Sequence, residues 1–214
     1  MNDTANVPEN HAPLNHVESC PDPRHFNFTA RVLHWSMALM ILAMLFVGIG
    51  MVSSLSLRPA LISLHQPLGI AILLLVIVRL INRLRHRPPP LPADLPAVQV
   101  FAAKASHWLL YALMFAMPLI GWCMLSVGGY PVTMFNGFAL PAIAPHNATV
   151  YAVFRSAHTW LALLLFATVL MHLAAALFHA WVRRDDVFAS MARGYVTNAK
   201  TLGEEKEHEN SANE

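Results

Sequence analysis

The sequence predicts an all-α integral membrane protein, a four-helix bundle embedded in a bilayer. Of its 214 residues, 56% are hydrophobic and only 12% are charged, whereas about 25% of the residues in an average soluble protein are charged. Four stretches, about 32–55, 61–82, 105–127 and 151–182, each exceed the roughly 18 apolar residues that mark a spanning helix. The apolar surplus is therefore expected to contact lipid.

The segments around these spans are polar or rich in proline. Residues 1–28 are predicted to form a disordered leader, because they hold several prolines and no apolar core of a signal peptide. Prolines in the 83–104 connection separate the second and third helices. Residues 128–150 are expected to form a loop. The predicted membrane domain is therefore 29–194, followed by a polar tail, 195–214.

The basic residues indicate the orientation of the chain. Of its fourteen Lys and Arg residues, only Arg58 and Arg155 fall on the side reached after the first and third spans. The positive-inside rule then predicts that both termini are cytoplasmic. The nearly balanced net charge of +2 gives no reason to expect a nucleic-acid partner, so membrane lipid is the expected surrounding.

Histidines are the ionisable side chains that lie well inside the predicted spans, and no carboxylate is expected to accompany them. A polar side chain in hydrocarbon is costly and by default indicates a functional site. A neutral imidazole can also offer a lone pair to a metal. The set therefore predicts a bound cofactor. Its members are His34, His65, His107, His158, His172 and His179.

Helical geometry groups four of these histidines at two depths. His158 and His172 are about 21 Å apart along their helix and about 40° apart around it, so they share one face. Because successive helices alternate in direction, His34 falls at the depth of His172, near the cytoplasmic side. His65 falls at the depth of His158, near the outer side. The sequence thus predicts two histidine pairs stacked across the bilayer.

Two histidines per level favour haem over a bare metal ion. Zinc and di-iron sites usually need further protein ligands, whereas haem supplies four equatorial nitrogens and takes two axial imidazoles. No cysteine lies in a motif that attaches haem covalently, so the expected cofactors are two haems b. The metal ligands are predicted to be His34, His65, His158 and His172.

Three further residues are expected to contact haem. Gly69 lies one turn after His65, where a missing side chain lets a flat macrocycle approach the helix. Arg31 and Arg79 lie at cytoplasmic helix ends, where they can pair with haem propionates. Membrane topology alone also explains arginines at these positions.

His179 and His107 are candidate catalytic residues. His179 follows His172 by seven residues and lies at the cytoplasmic helix end. It can contact a quinone headgroup, or it can simply extend toward water at the interface. His107 lies beside Trp108 and Tyr111, as in an interfacial aromatic belt, and it can alternatively bind a propionate.

Taken together, several segments over about residues 26–194 resemble the bacterial cytochrome b561 family. They are 31–35 (RVLHW), 65–70 (HQPLGI), 78–80 (VRL), 106–111 (SHWLLY), 118–121 (PLIG), and the block from His158 through His172 and His179 to Asp185. The resemblance implies a bacterial inner-membrane protein in which the four paired histidines bind two haems b.

The same resemblance implies electron transfer from a donor on the outer side to a membrane quinone, namely ubiquinone. It places His179, and His107 or Arg79, near the quinone. Some similar proteins are superoxide oxidases, so superoxide or a redox protein is the expected donor. The chain would then be an oxidoreductase.

Two alternatives stay open from the sequence. One is a membrane-anchoring cytochrome b subunit of a larger oxidoreductase complex, like similar hydrogenase cytochrome subunits. The other is a transporter whose histidines carry protons or a transition metal. The absence of carboxylates inside the spans disfavours the transporter.

Overall fold

A computed structural model describes residues 26–86 and 95–192, and four long helices run through them. All four are long and apolar enough to cross a membrane, which confirms the predicted fold class. The helices are α1 (Phe28–Ser53), α2 (Arg58–Arg85), α3 (Ala97–Val127) and α4 (Ala148–Phe178).

The chain continues past α4 in a tight turn. A five-residue π-helix, His179–Arg183, extends α4, and a short helix, α5 (Asp186–Ala192), follows. Residues 1–25 of the predicted leader and the whole predicted tail, 195–214, lie outside the described residues. The end of the chain that carries α5 is called the α5 end below.

Each long helix begins earlier in the chain than the apolar stretch that predicted it. The hydrogen-bonded helical backbone begins in the polar interface before the apolar side chains do, so hydropathy places the start of each helix too late. The side chain of Asn27 caps α1 by accepting the N–H of Ala30 at 2.8 Å. Asn147 caps α4 in the same way, through the N–H of Val150 at 3.0 Å.

The helices associate closely as two pairs, α1 with α2 and α3 with α4, and α2 also contacts α3. The main buried cluster comes from α1, α2 and α3. Its members are Met37, Ile41, Ile72, Leu73, Val76, Tyr111 and Met114. Many large apolar side chains elsewhere are exposed, as expected for helices surrounded by lipid.

The segment between α3 and α4 is folded, which corrects the expectation of a loop over 128–150. Strand β1 (Val132–Thr133) pairs antiparallel with β2 (Ala139–Leu140) around a short 3-10 turn. The N–H and the hydroxyl of Thr133 both donate to Oε1 of Gln66, at 2.8 and 2.9 Å. The hairpin is therefore fastened to α2. Residues 128–147 are called the cap below, and this end of the bundle is the cap end.

Candidate cofactor sites

Four histidines come together as two pairs, as the helical depths predict. At the cap end, the ring centroids of His65 on α2 and His158 on α4 are 6.2 Å apart. Toward the α5 end, the ring centroids of His34 on α1 and His172 on α4 are 6.3 Å apart. The two members of each pair lie on helices from different halves of the bundle, so each pair spans the space between the two halves.

The spacing within each pair fits one metal ion between two imidazole rings. A metal–imidazole bond is about 2.0–2.1 Å, and a ring nitrogen lies about 1.1 Å from its own centroid, so two opposed ligands have centroids about 6.3 Å apart. Among the described residues, no group of three or more His, Cys, Asp or Glu side chains could hold a metal ion. Two protein ligands per level fit a cofactor that supplies the remaining ligands.

A partly open cavity lies beside the cap-end pair. His65, Gly69, Gly121 and His158 line it. Nδ1 of His65 and Nδ1 of His158 are buried without a hydrogen-bond partner in the described part of the chain. These orphaned polar atoms, together with the space, favour an occupant.

Gly121 belongs to this site, although sequence reasoning did not assign it there. A Cβ atom at Gly121 would lie 3.3 Å from Cε1 of His158, which is tighter than most side-chain contacts. The glycine therefore leaves room for the His158 ring. Gly69, which the sequence predicts to contact haem, also lines this cavity, and a Cβ atom there would meet Met44 at an ordinary 3.7 Å.

The surroundings of the α5-end pair are more polar. His107 lies beside His172, with 5.3 Å between their ring centroids, and its Nδ1–H donates to the carbonyl of Ala103 at 2.6 Å. The ring is half-buried, whereas the neighbouring Trp108 is 62% exposed. Trp108 thus has the exposure expected of a side chain in an interfacial aromatic belt, while His107 belongs to the histidine cluster.

Two arginines at this end carry buried nitrogen atoms without a partner. Nε of Arg79 donates to the hydroxyl of Tyr111 at 3.1 Å, but its Nη1 is an orphan within the described chain. Nη2 of Arg31 donates to the carbonyl of Ala192 at 3.2 Å, and its buried Nε is likewise unpaired in the described residues. A buried N–H without an acceptor is costly, so these two nitrogen atoms favour an acceptor such as the carboxylate of a cofactor.

His179 has a carboxylate partner that comes from beyond the predicted spans. Its Nδ1–H donates to Oδ2 of Asp185 at 2.7 Å, and Nε of Arg183 donates to the same oxygen at 3.1 Å. The chain turns back after the π-helix because Arg184 adopts a left-handed conformation, with φ 54°. An acidic residue just beyond a helix end is the signal that could have revealed this contact.

The carboxyl of Asp185 is held in its charged form. Burial raises its pKa, but hydrogen bonds from His179, from the N–H of Val187 and from Arg183 outweigh this effect, and the pKa lies below its usual value. Asp185 is therefore an anion at neutral pH. It can accept hydrogen bonds from both neighbouring side chains at once.

Comparison with known proteins identifies the family. Residues 25–194 match prokaryotic cytochrome b561. The chain is 31% identical over 175 residues to "Cytochrome b561 homolog 2" of Escherichia coli (strain K12), covering 79% of this chain and 92% of that protein. It is 29% identical over 160 residues to "Probable superoxide oxidase CybB" of Yersinia pestis, covering 74% and 90%. With its four membrane helices, the chain belongs to the prokaryotic cytochrome b561 family and is an integral membrane protein that binds haem b.

Proposed function

We propose that this protein carries electrons across a bacterial inner membrane, from a donor on the outer side to ubiquinone, by means of two haems b. The observation that carries the proposal is the presence of two histidine pairs at two depths of one bundle, with ring centroids 6.2 and 6.3 Å apart. Family membership supports electron transfer across the membrane by a cytochrome b. Haem binding by the family disfavours a transporter, which would be colourless.

Each histidine pair would hold one haem. His65 and His158 would hold the haem at the cap end, and His34 and His172 would hold the haem toward the α5 end. When bound, the two haems supply one-electron redox couples at two depths, so charge can cross the apolar interior of the membrane. The side chains of Arg31 and Arg79 would pair with propionates, because each has a buried nitrogen that lacks a partner among the described residues.

The glycines and the cap shape the cap-end site. Gly69 and Gly121 leave space beside His65 and His158 for a flat macrocycle. The bonds from Thr133 to Gln66, the residue after His65, hold the cap over this end. Water is thereby kept from part of the cavity.

The orientation we propose puts the α5 end in the cytoplasm. Only Arg58 and Arg155 lie on the opposite side, out of fourteen Lys and Arg residues in the chain, and this bias is the positive-inside signal. We further propose that residues 29–194 form the cytochrome domain, with the leader 1–28 and the tail 195–214 in the cytoplasm. The cap then faces the outer side.

Quinone would react at the α5 end. Reduction of a quinone to a quinol takes up protons, and this end holds the polar groups that can exchange them. We propose that His179 is the residue that contacts the quinone, with His107 and Arg79 nearby. At this end the Nδ1–H of His179 donates to Asp185.

Superoxide is the first donor to test, because the printed name of one relative is "Probable superoxide oxidase CybB". The purified holoprotein in detergent would receive superoxide from an enzymatic source together with a short-chain ubiquinone analogue. We expect quinol to form, and added superoxide dismutase should suppress it. Quinol formation that does not depend on superoxide would indicate that a redox protein is the donor instead.

The primary test of the proposed function is the dithionite-reduced minus oxidised visible spectrum, combined with a haemochrome assay of haem per chain. Two haems b per chain, with the sharp bands of low-spin iron, are expected. One haem per chain would contradict the two-level scheme. A colourless chain, produced with ample haem, would contradict the proposal as a whole.

A second candidate function is that of a membrane subunit in a larger oxidoreductase. Phe135 and Phe138 at the tip of the cap are 68% and 64% exposed, and exposed apolar groups can mark a docking surface. Mild purification from native membranes separates the two functions. A stoichiometric partner that stays bound would favour the subunit, whereas an active single chain would count against it.

A further inference from the structure

A hydrogen-bonded chain of three side chains lies where α4 ends. Nε of Arg183 and Nδ1 of His179 both donate to Oδ2 of Asp185, at 3.1 and 2.7 Å. The other carboxylate oxygen, Oδ1, accepts the N–H of Val187 at 3.2 Å. Both oxygens of Asp185 are thus engaged, so the carboxylate has little freedom to rotate away from the histidine.

The conformation of a few backbone residues after α4 brings these side chains together. The π-helix widens the last turn of α4, and the left-handed Arg184 reverses the chain. The N–H of Asp185 then bonds back to the carbonyl of His179 at 3.3 Å. A residue six positions along the chain is thereby brought beside the imidazole.

Helix α5 fixes the turn against the start of α1. Nε1 of Trp35 donates to the carbonyl of Met191 at 3.2 Å, and Nη2 of Arg31 donates to the carbonyl of Ala192 at 3.2 Å. Trp35 is next to His34, a proposed haem ligand. The carboxylate at His179 and the proposed α5-end haem site are therefore parts of one connected structure.

A carboxylate at Nδ1 determines what the other ring nitrogen can do. In neutral histidine one nitrogen carries the proton, and the hydrogen bond of the other nitrogen decides which one it is. With the Nδ1 proton held by Asp185, Nε2 is left to gain and lose a proton. The side chains of His179 and Asp185 are only 18% and 16% exposed, so this hydrogen bond is largely shielded from water.

On the basis of the proposed quinone reaction, we propose that Asp185 is a positioning residue that fixes the Nδ1 proton of His179, so that Nε2 delivers one proton to a quinone oxygen. Quinone takes up two electrons and two protons to form quinol. The electrons come from the outer donor through the two haems, one proton comes from His179, and the second comes from water. His179 then regains its proton from water at the α5 end.

The kinetic test uses the reduced holoprotein mixed anaerobically with a short-chain ubiquinone analogue, with haem oxidation followed by absorbance. Asp185→Asn should lower the maximal rate about tenfold to hundredfold, within the range for a positioned proton donor, and should change the half-saturating quinone concentration much less. Asp185→Glu should restore most of the rate. Asp186→Asn, which makes the same charge change one residue along, should react like the unaltered protein.

A second measurement does not depend on quinone. The nitrogen NMR shifts of the His179 ring, assigned by their loss in His179→Gln, report which nitrogen carries the proton in the dithionite-reduced protein. We expect a protonated Nδ1 in the unaltered chain and a change in Asp185→Asn. Haem content and visible spectrum should stay the same in all of these variants.

The outcomes distinguish a failure of the role of Asp185 from a failure of the proposed quinone reaction. An Asp185→Asn variant with the normal rate and unchanged nitrogen shifts would overturn the role of Asp185. A slow variant that Asp185→Glu does not restore would also overturn it, since the defect would then be structural. If the unaltered reduced protein does not react with quinone, both the proposed quinone reaction and the proton delivery are wrong. The nitrogen shifts would still decide whether Asp185 fixes the tautomer of His179.

Discussion

The two histidine pairs have nearly equal ring separations but different surroundings. The cap-end pair, His65 and His158, borders a mostly apolar cavity, and Gln66 beside it is bonded to the cap. The pair toward the α5 end, His34 and His172, has another histidine against it. Arginines with unpaired buried nitrogens also lie at that end of the bundle.

This difference indicates that two histidine pairs with the same ring separation can take part in different reactions. An apolar environment suits a site that only accepts and passes an electron, because no proton has to move with it. A site that reduces quinone also needs groups that hold protons and anions. Asp, Glu, Lys and Arg are absent between Lys104 and Arg155, so the cap itself contains none of them. The bias that indicates membrane orientation thus also concentrates charged side chains at the α5 end.

The largest effect is expected from removing one ligand of either pair. His158→Ala should leave one haem per chain instead of two, because each proposed haem has its own pair of histidine ligands. His172→Ala should leave the other haem. Haemochrome assays and redox titrations of the two variants would measure this, and the remaining haem should differ in potential between them. Loss of both haems from either variant would show that the two sites do not form independently.

A bulkier residue at Gly121 should affect only the cap-end site. In Gly121→Val the new Cβ would press on the His158 ring, 3.3 Å away, so the cap-end haem should be lost in part or shifted in potential. Gly48→Val is the matched control, since no atom lies within 4 Å of a Cβ there. Equal spectra for the two variants would contradict the role assigned to Gly121.

Removal of a positive charge should lower the reduction potential of the proposed haem at the α5 end. Arg79→Gln takes away a cation that favours the reduced, less positive iron, so the potential of that haem should fall by about 50 mV. The other haem should change little. Arg155→Gln is the control, because it removes a positive charge at the cap end and should leave the potential of the α5-end haem unchanged. Spectroscopic redox titration measures the potentials in both variants. A shift of the cap-end haem in Arg79→Gln would contradict the separation of the two environments.

The smallest effect is expected at the cap. Gln66→Leu removes the acceptor of two bonds from Thr133, which should cost about 1–3 kcal/mol of stability. Thermal unfolding in detergent would measure the loss. Thr159→Val, which removes a bond from an exposed hydroxyl to the carbonyl of Arg155, should change stability less. A larger loss in the control would argue against a tightly held cap.

Much of the fold follows from the sequence because a membrane restricts the choices. Each spanning segment must satisfy its backbone hydrogen bonds internally, so a long apolar run becomes a helix. Helix ends were less predictable, as α3 begins at Ala97 although its apolar stretch starts near 105. The cap was missed because its two-residue strands depend on Gln66, which is distant in sequence.

The depths of the histidines were determined by the sequence alone, since the rise of a helix is constant and its ends are anchored at the interfaces. Tertiary structure decided which histidine rings face each other closely enough to bind one metal ion. It also put Gly121 against His158 and Asp185 against His179. These contacts depend on how each helix is rotated about its axis and on how the chain turns beyond its end. Packing between distant segments sets the rotation of each helix, whereas the turn beyond α4 depends on the π-helix and the left-handed Arg184, neither of which hydropathy predicts.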